Sequence, residues 1–350
     1  MNPAASHDKP FIVPVFIPHA GCPQRCIFCN QHSTTGQRQS LPSLKNVQKT
    51  IHDFLAHRRD SGRRTEISFY GGSFLGLPTG LIQLLLATAT HFVRQGLAHG
   101  IRFSTRPDTI DSARLALLDK FPVTTVEIGV QSMSDPVLER CLRGHNVQDT
   151  LRALALLKSR SYSIGVQVML GLPGDSPTAA KATARQLAGL GPHFARIYPT
   201  VVLRGSALAQ LYAKGQYEPL ALDEAVALAA EVHQIFALND IPVIRMGLQD
   251  ADELSPDADL VAGPHHPAFG ELVYSKLWQD AICKHIEKEG LLRSDVMLAF
   301  HPHLQSQIKG PKDANIFEIL QRCALSSLEI QTNETIEMDR VTINGQECRR

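Results

Sequence analysis

The sequence predicts an α/β chain whose main body is an open, partial (β/α)6 barrel, followed by a mixed α/β C-terminal extension. Three observations point there. Short runs rich in Val, Ile, Phe and Tyr alternate with longer amphipathic stretches six times between residues 10 and 215. The short runs are apolar almost throughout, as parallel strands covered on both faces must be. Six repeats fall short of a closed eight-stranded barrel, and a fully wound α/β sheet is the alternative topology.

In chain order, residues 1–9 are polar and expected to be disordered. Strands are expected at 11–17, 66–70, 101–105, 125–130, 163–170 and 195–199. Between them, a helix at 81–93 carries Leu81, Leu84, Leu85, Thr88 and Phe92 on one stripe, and 111–120 repeats Ala113, Leu117 and Leu118. Val147, Leu151, Leu154 and Leu157 mark a third helix, and 177–190 opens on Pro177, whose fixed φ suits a first helical turn. After about residue 215 the rhythm changes. A helix is expected at 222–238 with Ala225, Val226, Ala229, Val232 and Phe236 on one face, then a strand at 242–246 and a loop at 249–270 rich in Asp, Pro, Gly and His. A helix at 271–289 and a mixed α/β tail complete the chain. The expected organisation is a tail at 1–9, a core at 10–215 and an extension at 216–350 that serves as a substrate or lid region.

With 43% hydrophobic and 20% charged residues, the 350-residue chain has the composition of a globular enzyme and not of a disordered one. A net charge of +1 supplies no general attraction to nucleic acid. Apolar runs fall short of the roughly 18 residues that span a bilayer, so no membrane partner is expected. His19-Ala20-Gly21-Cys22 looks a little like a lipoprotein cleavage site, but the apolar segment before it is short and broken by Pro14, so a cytoplasmic location is expected.

Seven cysteines is an odd number, which argues against a disulfide framework. Cys22, Cys26 and Cys29 lie together, directly after the first strand, where βα loops gather into a site. Cys141, Cys283, Cys323 and Cys348 are isolated and are expected to be small buried hydrophobes. Three thiols at spacings of four and three can wrap one metal centre. A four-iron cluster usually takes four cysteines, so three leave one iron open to a ligand from outside the protein. Zinc, with His19 or His32 as fourth ligand, is the alternative, and unliganded thiols are the third reading.

The Cys22-x3-Cys26-x2-Cys29 loop, with Phe28 before its last cysteine, resembles that of the radical S-adenosylmethionine (radical SAM) superfamily. Motifs at later strand ends support the resemblance: Tyr70-Gly71-Gly72-Ser73-Phe74, Ser104-Thr105-Arg106-Pro107, Glu127-Ile128-Gly129-Val130-Gln131 with Arg143-Gly144-His145, Gln167 to Gly174, and Arg196-Ile197-Tyr198-Pro199. Together they cover roughly residues 10–215. The resemblance implies a partial barrel of the radical SAM type, with a 4Fe-4S cluster on the three cysteines. It also implies S-adenosylmethionine chelated at the open iron and cleaved to a 5′-deoxyadenosyl radical that abstracts hydrogen from a substrate. An electron donor such as flavodoxin or ferredoxin is implied too.

Within the superfamily the motifs are most similar to the radical SAM part of the Elongator catalytic subunit and to the oxygen-independent coproporphyrinogen oxidase group. By that similarity Gly71 and Gly72 meet the methionine amino group through their backbone, with Ser73 and Thr105 beside them. Gln131 meets the ribose or methionine region, Arg143 the carboxylate, Gln167 the ribose and Met169 the adenine. No catalytic residue beyond these is identified. The Elongator-like wording implies a transfer RNA substrate. Small-molecule radical chemistry of the coproporphyrinogen oxidase type and a non-catalytic, cluster- or zinc-stabilised binding protein are the alternatives. Acetyl transfer, which the Elongator subunit performs in a further domain, is not expected here. Two further features are the loop Gly263-Pro264-His265-His266, read either as a shaped turn or as a lid over the barrel, and the basic run Arg58, Arg59, Arg63 and Arg64.

Overall fold

The computed structural model describes residues 10–17, 19–30, 42–58, 62–248 and 259–350. The expected tail at 1–9, along with Arg59, His32 and residues 249–258 of the expected 249–270 loop, lies outside the described residues. Two compact units divide at Pro267/Ala268. The first holds seven strands, β1 (Phe11–Phe16), β2 (Thr65–Tyr70), β3 (Gly100–Thr105), β4 (Val123–Gln131), β5 (Ser163–Leu170), β6 (Phe194–Pro199) and β8 (Val243–Met246), which form one parallel sheet in that order. The two-residue β7 (Val202–Leu203) pairs antiparallel with β9 (Leu260–Ala262). Strand 242–246 of the sequence reading thus joins the sheet beside β6, making seven strands where the six-fold rhythm had counted six.

The sheet is open, because β1 and β8 stand at opposite edges. It is also curled: Ile12, Tyr70, Ser104, Gln131, Gln167, Arg196 and Arg245, one from each strand, line a single cavity. The strands are joined through helices α1 (Leu44–Ala56), α2 (Thr79–Arg94), α3 (Ser112–Leu118), α4 (Asp135–Arg140), α5 (Val147–Lys158), α6 (Pro177–Gly189), α7 (Ala207–Ala213) and α8 (Leu222–Ala237), of which α4 and α7 pack through Val137 and Leu208 on Ile27 of the cysteine loop. Each crossover returns the chain to the next parallel strand, which is what a strand–helix–strand unit requires. Local signals set the helix starts. Asp111, Asn146, Ser176 and Ser206 accept from the backbone N–H three residues on and so satisfy an otherwise open donor.

Two stripes differ from the sequence reading. In α2 the buried face is Ile82, Leu85, Leu86, Ala89 and Phe92, while Leu84 is 52% exposed. In α3 Leu115 takes the inward place and Ala113 faces out. Both segments carry apolar residues nearly all round, so periodicity alone leaves their phase undefined. Helices α1, α4 and α7 had no counterpart in the reading; two of them are only six or seven residues long.

In the second unit, α9 (Phe269–Lys288), α10 (Gln305–Lys309) and α11 (Ala314–Arg322) accompany a sheet ordered β11 (Ser327–Thr332), β10 (Asp295–Phe300), β12 (Arg340–Ile343), β13 (Gln346–Arg349). Trp278, Ile282, Phe300, Ile319 and Val341 form its core together with Cys283, Cys323 and Cys348. Those cysteines and Cys141 are all buried, as expected of isolated apolar thiols. No helix among the described residues is long and apolar enough to cross a membrane.

Candidate functional site

The three-cysteine loop leaves β1 at Ile17 and is seated closely on the main chain of the turn after β2. Ser73 N–H donates to Ala20 O at 2.9 Å. A Cβ placed on Gly72 falls 2.1 Å from Ala20 O, and one on Gly76 falls 1.8 Å from Gly21 O. Gly21 itself has φ +70° and its own Cβ position is blocked by Ser73 O at 2.1 Å. No side chain fits between these segments, so the thiol-bearing loop has one seat.

Cys22, Cys26 and Cys29 line the sheet's inner cavity, of about 620 Å³, together with Gly71, Gly72, Thr105, Gln131, Arg143, Gln167 and Met169. Ten of the residues singled out in the sequence therefore meet around one space. Ser73 is the exception. Its hydroxyl turns aside to Thr105 Oγ1 at 3.1 Å and Thr109 Oγ1 at 3.2 Å, and accepts from Arg106 N–H at 3.2 Å. Thr105 in turn accepts from Leu75 N–H at 3.1 Å, so this hydroxyl group ties the β2 and β3 ends together. His265 and His266 are not among the residues lining the cavity. Arg58, Arg63 and Arg64 bond Thr65, Pro10 O and Glu66, which spends the described part of the basic run on local structure.

Several buried polar atoms face this space without a protein partner. Gln131 has φ +69°, at a register slip between β4 and β5, and its Oε1 bonds to nothing. A left-handed conformation is uncommon outside glycine, and the bulge re-aims the side chain inward. Arg143 donates from Nη1 to Cys26 Sγ at 3.0 Å and from Nη2 to Gly129 O at 2.6 Å, while its buried Nε has no acceptor. Arg106 forks onto Asp108 at 2.9 and 3.0 Å and leaves Nη1 open. Buried groups of this kind cost free energy unless something satisfies them, so the set fits a polar ligand. Burial and the Cys26 thiol push the Cys22 thiol up, against the pull of Arg106 and Arg143. His145 is pushed down to about 3 by burial, Arg143 and Arg106, so it is a neutral neighbour to both arginines at working pH.

Among the described residues no group of three or more His, Cys, Asp or Glu side chains is drawn together so as to hold a metal ion.

Behind the cavity wall, reached through Tyr70, Gln167 and Arg196, lies a network the sequence reading passed over. Glu127, fully buried, stands 2.8 Å from Arg196 Nε and 3.1 Å from Arg102 Nε. It accepts from Gln167 Nε2 at 2.9 Å and Tyr70 OH at 3.2 Å. Burial works against the charge of Arg196, but Tyr198, Glu127 and Tyr70 outweigh it and hold its pKa above the ordinary value. Burial and Glu127 push the Tyr70 phenol up to about 12. The signal was present as Glu66, Arg102, Glu127, Arg196 and Arg245, five charges set inside otherwise apolar strands.

Two family models match the chain. That of the radical SAM superfamily matches residues 16–187 and that of the radical SAM C-terminal domain residues 192–279, together about three quarters of the sequence. The tRNA uridine(34) acetyltransferase of Methanocaldococcus infernus is 30% identical over 191 residues, 53% of this chain and 33% of that protein. This chain therefore spans about a third of that relative's length. Protein YhcC of Escherichia coli K12 is 25% identical over 233 residues, 61% of this chain and 72% of that protein. Among solved structures, Methanocaldococcus infernus Elp3 with an N-terminal deletion superposes with a TM-score of 0.58 at 22% identity, covering 80% of this chain and 63% of that one. That likeness supports the curled half-barrel described above. On these matches and the motifs that meet in the cavity, the chain belongs to the radical SAM superfamily.

Proposed function

We propose that Cys22, Cys26 and Cys29 hold a 4Fe-4S cluster, that S-adenosylmethionine binds beside it, and that the chain is a cytoplasmic enzyme acting on transfer RNA. The observation that carries this reading is the meeting, at the carboxyl ends of parallel strands, of three thiols with buried polar atoms that lack protein partners. When bound, the cluster and its sulfonium cofactor supply one-electron reductive cleavage to a carbon radical, with flavodoxin or ferredoxin as the electron source.

The chain's own residues hold and orient. Gly71 and Gly72, with no side chain in the way, present backbone to the amino group of the cofactor. Arg143, which donates to Cys26 Sγ, would hold the carboxylate of the cofactor by a charge-assisted bond. Gln131 Oε1 accepts from a hydroxyl or the amine. Met169 offers a polarizable wall to adenine. Gln167 keeps its amide nitrogen on Glu127 and Ser104, which leaves its carbonyl for a ribose hydroxyl. Ser73 contributes by fixing Thr105 at the cavity wall.

Anaerobic reconstitution tests the reading. Iron and sulfide near four each per chain are expected, with 5′-deoxyadenosine released on addition of dithionite, and Cys26→Ser is expected to abolish both. Zinc without iron in the anaerobically purified protein overturns it. The substrate is tested separately by filter binding to transfer RNA. Affinity that falls steeply with salt is expected; no salt-sensitive affinity removes RNA and leaves small-molecule radical chemistry.

A further inference from the structure

The wall of the cavity formed by β6 and β8 carries a charge that no described residue balances. Parallel register sets Arg196 of β6 directly beside Arg245 of β8, and both line the cavity. Like charges paired across strands repel. Arg196 is compensated by Glu127 at 2.8 Å. Arg245 forms no ion pair among the described residues; it makes one weak bond, Nε to Gly247 O at 3.4 Å. Among the described residues that line the cavity there are five arginines and neither an aspartate nor a glutamate. Arg196, the cross-strand partner of Arg245, stands against two phenols that also line the cavity: its guanidinium lies 5.7 Å from the centre of the Tyr70 ring, and Tyr198 OH accepts from its Nη1 at 3.2 Å. A guanidinium fork with an unmet charge next to aromatic faces suits one ligand chemistry well: a phosphate carried on a flat base.

We propose that Arg245 is the substrate-positioning residue of this cavity and binds a phosphate of a nucleotide unit, whose base lies against the tyrosine wall. The inference deepens the RNA reading above and rests on it for the kind of substrate, but binding at Arg245 is measurable without cluster or cofactor. Failure of S-adenosylmethionine cleavage and failure of phosphate recognition are therefore separate results.

The test is calorimetric titration of the full chain with uridine 5′-monophosphate, uridine and malonate at low and moderate salt. The nucleotide is expected to bind at least ten-fold more tightly than the nucleoside, from a charge-assisted bidentate contact. Arg245→Met is expected to erase that difference, and Arg245→Lys to restore part of it as a point charge without the fork. Unchanged circular dichroism and melting of both variants establishes that the fold is intact. A merely structural role for Arg245 would lower binding of uridine and its monophosphate together, and that outcome overturns the proposal. So does equal affinity of the native chain for the two, or malonate binding as tightly as the nucleotide.

Discussion

Replacing Glu127 by Ala tests how the barrel interior is held. The carboxylate is fully buried and is the acidic partner of Arg196, whose side chain is 13% exposed; Arg102, 6% exposed, retains Glu66 at 3.4 Å. The variant therefore leaves one buried guanidinium without a countercharge and a second with a longer one. Breaking a buried pair by removing one partner costs about 3–5 kcal/mol, because the remaining charge stays desolvated. For a unit of this size that corresponds to a fall in Tm of about 6–20 °C. Calorimetry resolves the transitions, and the fluorescence of Trp278, in the core of the second unit, reports that unit alone. The first transition is expected to drop and the tryptophan signal to stay. The double variant Glu127→Met with Arg196→Met is expected to recover part of the loss, since an apolar pair removes both charges at once. A fall below about 1 kcal/mol for Glu127→Ala would mean that water reaches the network and that its buried character is misjudged.

Three other outcomes follow from the packing and ionisation. Gly76→Ala, behind the cysteine loop and not itself lining the cavity, forces a Cβ to 1.8 Å from Gly21 O; a loss of at least about 1–3 kcal/mol is expected, with lower iron retention after reconstitution, read by melting and iron analysis. Asp175 is raised from 3.8 to about 6, chiefly by burial. The folded state thus holds its proton more tightly than the unfolded one, and the associated stability, present below pH 3.8, is lost as pH rises to about 6. Asp175→Asn is therefore expected to stabilise the chain by about 1 kcal/mol above pH 6, after discounting for partial exposure, and to change nothing below about pH 4, read from urea midpoints at both values. Phe300→Ala, at a fully buried position of the second unit, is expected to cost about 3–5 kcal/mol in the tryptophan-monitored transition with cluster content unchanged.

The parallel strands were legible because each is a short apolar run flanked by turn residues, and β1 to β6 appear within a residue or two of the expected bounds. The thiol loop was legible through its spacing together with the ordered strand-end motifs, and the glycine turn through its resemblance to the radical SAM pattern. Helix phase was not, as Leu84 and Ala113 show, since a segment apolar on every side carries no periodic signal. The Glu127 network and Arg245 escaped for a different reason. Their meaning lies in cross-strand register, which joins residues far apart in sequence, and a charge inside one strand does not announce its partner on another. Ser73 shows the converse: its motif marked it, but its hydroxyl is taken by two threonines that only the folded turn brings near.

The close approach of Gly72 to Ala20 and of Gly76 to Gly21 makes the three-cysteine loop a poor candidate for transplantation. A graft of residues 21–29 onto another barrel would arrive without its socket unless both glycines of the following turn travelled with it. Pro23, which points to solvent, is where variation between related chains can be absorbed, whereas the three glycines act as a lock and key made of peptide bonds.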